Sequence, residues 1–136
     1  MIRQIVKDTI FLSRKSCAAS TDDLQIVTDL EDTLRANHEH CVGMAANMIG
    51  YNKRIIIIAT GFANIVMINP VIKKRGEPYE TEEGCLSLPG TRRAVRYNKI
   101  TVEFQDKRFV KHVQDFEGYT AQIIQHECDH LEGILI

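Results

Sequence analysis

The spacing of hydrophobic positions changes three times along the chain. Ser20, Thr21, Asp22 and Asp23 are residues that open helices, and Leu24, Val27, Leu30 and Leu34 then recur three or four apart. That spacing marks one helical face and predicts an amphipathic helix over residues 22–37. Residues 54–59 and 65–68 are β-branched runs separated by a turn containing Gly61, which predicts two paired strands. Ile100, Val102 and Phe104 alternate with Thr101, Glu103 and Gln105, and a second short run, 109–113, follows Asp106 and Lys107. A hairpin is expected there. After Gly118 the period becomes helical again: Ile124, Cys128 and Leu131 fall on one face of a helix over 119–131, and Tyr119, Ile123, His126 and His130 on another. Consecutive strands between two helices imply an α+β fold, with antiparallel strands packed around the C-terminal helix. No linker or repeat divides residues 1–136, so a single domain is expected.

Composition narrows the classes. The chain has 136 residues, 44% hydrophobic and 26% charged, with a net charge of −1, as an ordinary globular domain has. Its longest purely apolar run is 55–59, too short to span a membrane, and no basic-then-apolar leader opens it. Four cysteines without such a leader point to a reducing compartment, and the expected location is the cytoplasm. Residues 73–111 carry 10 Lys/Arg and 6 Asp/Glu, whereas residues 112–136 carry no Lys/Arg and 5 Asp/Glu. The basic middle reads as a solvated face of mixed sign, and no specific nucleic-acid partner is expected. The acidic tail contains the chemistry.

His126-Glu127-Cys128-Asp129-His130 is an H-E-x-x-H segment inside the second helix. Residues four apart lie one turn from each other on one face, so both imidazoles can reach one cation with Glu127 beside them. A carboxylate there is placed to take a proton from water activated by a Zn²⁺-type ion. Catalytic sites of this kind use three protein ligands, and the chain stops six residues after His130. The third ligand is therefore expected upstream, among Cys17, Cys41, Cys85, His38, His40 and His112. Cys128, about 200° around the helix from each histidine, should face the core. Cys85 is the best candidate, because Gly84 lets backbone approach and the extended Glu83-Gly84-Cys85-Leu86-Ser87 stretch leaves amides free for a substrate.

These segments together resemble a known family. Glu83-Gly84-Cys85-Leu86-Ser87, followed 41 residues after the cysteine by the histidine segment, is similar to the second and third motifs of the peptide deformylases. The run Cys41-Val42-Gly43-Met44-Ala45-Ala46-Asn47-Met48 occupies the place of their first motif, G-x-G-x-A-A-x-Q. The likeness covers nearly the whole chain. It implies an α+β fold with the histidine helix among antiparallel strands, and removal of the formyl group from formyl-methionine on newly made proteins. It implies that Cys85, His126 and His130 hold one divalent ion, Fe²⁺ in the cell and Zn²⁺ or Ni²⁺ after purification. It further implies that Glu127 is the general base and later the acid, that the Leu86 N–H holds the formyl oxygen, and that Gly43 lies along the substrate backbone. Arg92 matches an arginine near the peptide tail. The implied partners are N-formylmethionyl peptides of nascent chains, with transient ribosome contact. Met44, Ile123 and Tyr119 are candidates for the apolar methionine pocket.

Two positions depart from the first motif. Cys41 replaces its first glycine, and Met48 replaces the glutamine whose amide donates to the developing oxyanion. A thioether has no N–H. Asn47 is adjacent, but neighbours in an extended segment point opposite ways. Two rival readings share the histidine helix: a zincin-type endopeptidase, and a weakly active or non-catalytic metal-binding homologue, the non-catalytic form having a fourth protein ligand.

Overall fold

The computed structural model describes residues 1–136. Its first regular element is a one-turn helix, α1 (Thr9–Leu12), capped by the Asp8 carboxylate, which accepts from the Ile10 N–H at 2.9 Å. The helix expected over 22–37 is present as a 3-10 turn, Thr21–Asp23, that continues into α2 (Leu24–Ala36). The turn is closed by the Ser20 N–H donating to Asp23 at 2.8 Å. The apolar stripe starts later than its spacing suggests, since Leu24 is 42% exposed while Val27, Leu30 and Leu34 are buried.

The same helix buries a charge. Asp29 accepts hydrogen bonds from Arg3 Nε at 3.1 Å, from Gln25 Nε2 and the Tyr51 hydroxyl at 3.0 Å, and from the Met1 amino group at 3.0 Å. Burial alone would push this carboxyl up, but its donors outweigh that and hold it at about 2.

Five strands follow: β1 (Gly43–Ala45), β2 (Ile55–Ala59), β3 (Asn64–Cys85), β4 (Leu88–Gln105) and β5 (Lys111–Glu117), with a 3-10 turn, Ala46–Ile49, after β1. They form one antiparallel sheet in chain order, and α3 (Gly118–Leu131) closes the chain against it. Ile55 to Ile58 are all fully buried. Both α2 and α3 pack on β2, so this strand reads as a continuous β-branched run without alternation.

The sheet differs from the sequence expectation mainly in β3 and β4. Only their roots, 65–68 and 100–104, carry an apolar pattern. Beyond Lys73 the two strands continue as a ribbon with charged residues on exposed positions, linked by cross-strand pairs such as Arg93–Glu80 at 2.8 Å and Lys99–Glu77 at 3.1 Å. A ribbon with solvent on much of both faces has no apolar period to detect. The final strand is Lys111–Glu117 rather than 109–113, because Phe109 turns the chain at φ 62° while Asp106 accepts the Arg108 and Val110 N–H groups.

Register shifts at Ile68/Val71 and Ile72/Lys74 bend the long strand away from the core. At the first of them Asn69 adopts φ 52°, held by its side-chain amide, which accepts from the Ala19 N–H at 2.8 Å and donates to Gln105 Oε1 at 3.0 Å. The bent ribbon carries its tip to α3. No helix is long and apolar enough to cross a membrane.

Candidate metal centre

Cys85 is the last residue of β3 and pairs in register with Leu88 across the two-residue turn Leu86-Ser87. From the other side α3 presents His126 and His130, whose rings meet edge to face with centroids 4.5 Å apart. One ligand atom from each of Cys85, His126 and His130 lies within 4.8 Å of the others. The remaining upstream candidates do not join this group. Cys17 is exposed, His38 and His40 are exposed on the loop before β1 and line the same cleft, and His112 bonds Asp106 at 2.8 Å and stacks on Phe104. Cys41 lines the cleft beside the centre but donates its S–H to the Gly43 carbonyl at 2.8 Å. Cys128 is buried on the core face of α3, where burial pushes its thiol up to about 12.

A buried carboxylate orients one imidazole. Glu83 Oε1 lies 2.8 Å from His126 Nδ1 and also accepts from Arg96 Nη2 at 2.7 Å, while Oε2 accepts from Gln122 Nε2 at 2.9 Å. Arg96 Nη1 continues to Asp129 at 2.7 Å. With Nδ1 engaged, Nε2 of His126 is left for an ion. Sequence reasoning missed both Glu83 and Arg96 in this role. For Glu83 the signal was present: it precedes Cys85 by two residues in a strand, which places both side chains on one face. Arg96 had none, because its place depends on the path of the ribbon.

The charges suit a divalent cation. Burial would raise the Cys85 thiol, but hydrogen bonds from His126 and His130 outweigh it and bring the thiol down to about 6. Burial would lower His126, but Cys85 and Glu83 lift it to about 9. Glu83 would likewise be raised by burial, and His126 and Arg96 hold it at about 2. His130 is also pushed well above its ordinary value, against burial, by Glu127 and Cys85; its Nδ1 is 3.0 Å from Glu127 Oε1. A thiolate beside two imidazoles carrying displaceable protons is a donor set that a Zn²⁺- or Fe²⁺-type ion fits.

The centre forms one wall of a cleft of about 690 Å³, also lined by Gly43, Met48, Leu86, Tyr119, Ile123 and Glu127. No side chain fits at Gly43, where a Cβ would meet Ile123 Cγ2 at 2.6 Å and Glu127 Oε2 at 3.0 Å. Met44 is fully buried and pairs with Ile57, on the core side of β1 and outside the cleft lining. Met48 Sδ accepts the Ala45 N–H at 3.4 Å and so caps its own 3-10 turn. Asn47 donates its amide to the His130 carbonyl at 2.9 Å, which commits that amide to α3. Arg92 donates to the Pro89 carbonyl at 3.3 Å and is not a lining residue.

A sulfur and two ring nitrogens converging beside a buried carboxylate, at the wall of a peptide-sized cleft on an α+β frame, are the parts that a metal-dependent hydrolase needs. The chain matches the polypeptide deformylase family over residues 2–136 and belongs to it. It is 57% identical to a peptide deformylase of Clostridium beijerinckii over the full length of both chains. It is 40% identical to peptide deformylase 1 of Clostridium perfringens, covering 90% of this chain and 86% of that one. Among solved structures it is similar to a peptide deformylase of Legionella pneumophila, with TM-score 0.90, 34% identity and coverage of 99% and 83%. A class I type b peptide deformylase of Acinetobacter baumannii bound to Met-Ala-Ser matches with TM-score 0.89 and 28% identity over 99% and 97% of the two chains.

Proposed function

We propose that this chain removes the formyl group from N-formylmethionyl peptides as they leave the ribosome in the cytoplasm, with Cys85, His126 and His130 holding one divalent ion, Fe²⁺ in the cell. The single observation that carries the reading is the convergence of these three ligand atoms within 4.8 Å, beside the Glu127 carboxylate. When bound, such an ion supplies Lewis acidity toward water and the formyl oxygen.

The residues do the rest. β1 is the edge strand of the sheet, so an extended peptide can lie along Gly43, where no side chain obstructs it. Ile123 and Tyr119 offer the methionine side chain an apolar wall. Glu127 takes the proton of the attacking water as the new C–O bond forms at the formyl carbon. The Leu86 N–H, in the turn after Cys85, donates to the oxygen on which charge develops. Glu127 then passes its proton to the leaving amine nitrogen as the C–N bond breaks, releasing formate and a free N-terminal methionine.

The Met48 side chain has no N–H to add to the oxyanion, and loss of one such donor costs on the order of 10² to 10³ in turnover. The test is formate release from formyl-Met-Ala-Ser by the Fe²⁺ protein kept anaerobic. Turnover is expected, and none above that of free Fe²⁺ rejects the reading. Met48→Gln is expected to raise kcat roughly tenfold or more with little change in KM. An unchanged kcat would show that another group already fills the donor position.

A further inference from the structure

Two side-chain oxygens beside the centre are buried and make no hydrogen bond within the protein: Asn47 Oδ1 and Ser87 Oγ. Asn47 is 1% exposed and Ser87 2%. A buried acceptor or hydroxyl left unpaired is costly, and such groups in folded proteins are almost always partnered, by protein or by ordered water. Both residues line one small cavity of about 10 Å³, which has room for the centre of a single water molecule. Its other walls are mostly apolar, so a water there is held chiefly by these two oxygens. Asn47 Nδ2 donates to the His130 carbonyl at 2.9 Å, which fixes Oδ1 as the free atom of that amide. Cys85 and Met48 line both this cavity and the substrate cleft, and so stand between them.

We propose that Asn47 and Ser87 are positioning residues that together hold one buried water molecule, and that this water ties the turn carrying the Leu86 N–H to the helix carrying His130. The inference rests on the deformylase reading, in which that N–H meets the developing oxyanion. The Ser87 hydroxyl donates to the water, and the water donates to Asn47 Oδ1. Asn47 is then held at both ends, through Nδ2 on α3 and through Oδ1 on the turn. Ser87 follows Leu86 directly, and its own N–H donates to Cys85 Sγ at 3.5 Å. A shift of Ser87 therefore moves the oxyanion donor and the sulfur together. The water lies behind Cys85 and Met48, away from the substrate, and takes no part in the bond changes. Asn47 occupies an unspecified position x of G-x-G-x-A-A-x-Q, so the link belongs to this chain and is not prescribed by the motif.

A crystal structure of the metal-loaded protein tests the site directly. An ordered water is expected within about 3.2 Å of both Asn47 Oδ1 and Ser87 Oγ, and it should be missing from Ser87→Ala. A dry cavity in the wild type, or either oxygen bonded instead to a protein group, would overturn the proposal. The consequence is read by kinetics on formyl-Met-Ala-Ser. The Leu86 N–H acts on the transition state, so loosening its turn in Ser87→Ala is expected to lower kcat roughly tenfold with KM within about twofold. An unchanged kcat, or a rise in KM alone, would show that the water does not position the turn. Asn47→Ala should be slowed as well, and adding Ser87→Ala to it should cost little more, since both residues act through one molecule. A second full loss in the double variant would overturn the shared site. If Asn47→Ala does not fold, Ser87→Ala and the crystal structure decide the matter alone. Absence of turnover by the wild type would reject the deformylase reading itself, whereas the water is seen or not seen independently of it.

Discussion

Glu83 accepts hydrogen bonds from Arg96, Gln122 and His126 at once, and this fixes which nitrogen His126 turns toward Cys85. Glu83→Gln keeps the shape but offers one acceptor oxygen and a competing N–H in place of a charged acceptor pair. Metal affinity is expected to fall roughly 10- to 100-fold, read by competition with a chromogenic chelator. An affinity equal to that of the wild type would show that Glu83 only braces the ribbon. The grouping of Cys85, His126 and His130 was legible in the sequence, because spacing of four in a helix and a glycine-flanked cysteine are local patterns. The orientations of Met48 and Asn47 were not. The thioether accepts its own turn's N–H and the amide is drawn to the carbonyl of His130, 83 positions away, and neither contact has a local signature.

At the scale of elements, α2 and α3 were legible because each buries one face against a common core, and burial on one face writes a period into the sequence. The distal halves of β3 and β4 were not, because their stability comes from ladder hydrogen bonds and cross-strand charge pairs that leave no period. The N-terminal arm shows a third kind of case, a polar anchor inside a helix that looks amphipathic. Asp29 is held at about 2 against an ordinary 3.8. Its folded value is the lower one, so it contributes stability that is fully present above about pH 4 and is lost as pH falls toward 2. The gap in urea midpoint between the wild type and Asp29→Asn should therefore be wide at pH 6 and close as the pH approaches 2. A gap of constant width across that range would show that the carboxylate's charge does not anchor the arm.

Over the whole molecule, an ion on Cys85, His126 and His130 would add a further link between two parts already joined by side-chain hydrogen bonds: the tip of a ribbon bent out of the sheet, and a helix packed against it. A ligand that binds only the folded state stabilises it by RT ln(1 + [L]/Kd), about 4 kcal/mol when the free ion is at a thousand times Kd. Stripping the ion with a chelator is accordingly expected to lower Tm by roughly 10 °C or more, with recovery on adding Fe²⁺ or Zn²⁺, and with the largest gain in hydrogen exchange at residues 82–90. A Tm indifferent to chelation would mean that side-chain hydrogen bonds, those of Glu83, Arg96, Gln122 and Gln125 among them, suffice to hold the ribbon to the helix. The ribbon also constrains how relatives can diverge. From Pro78↔Tyr97 to Gly84↔Thr91 its pairing is unbroken, and successive residues face opposite ways. One inserted or deleted residue in that stretch would carry the sulfur to the wrong face, so over evolutionary time tolerated length changes there should come in twos and be matched on both strands.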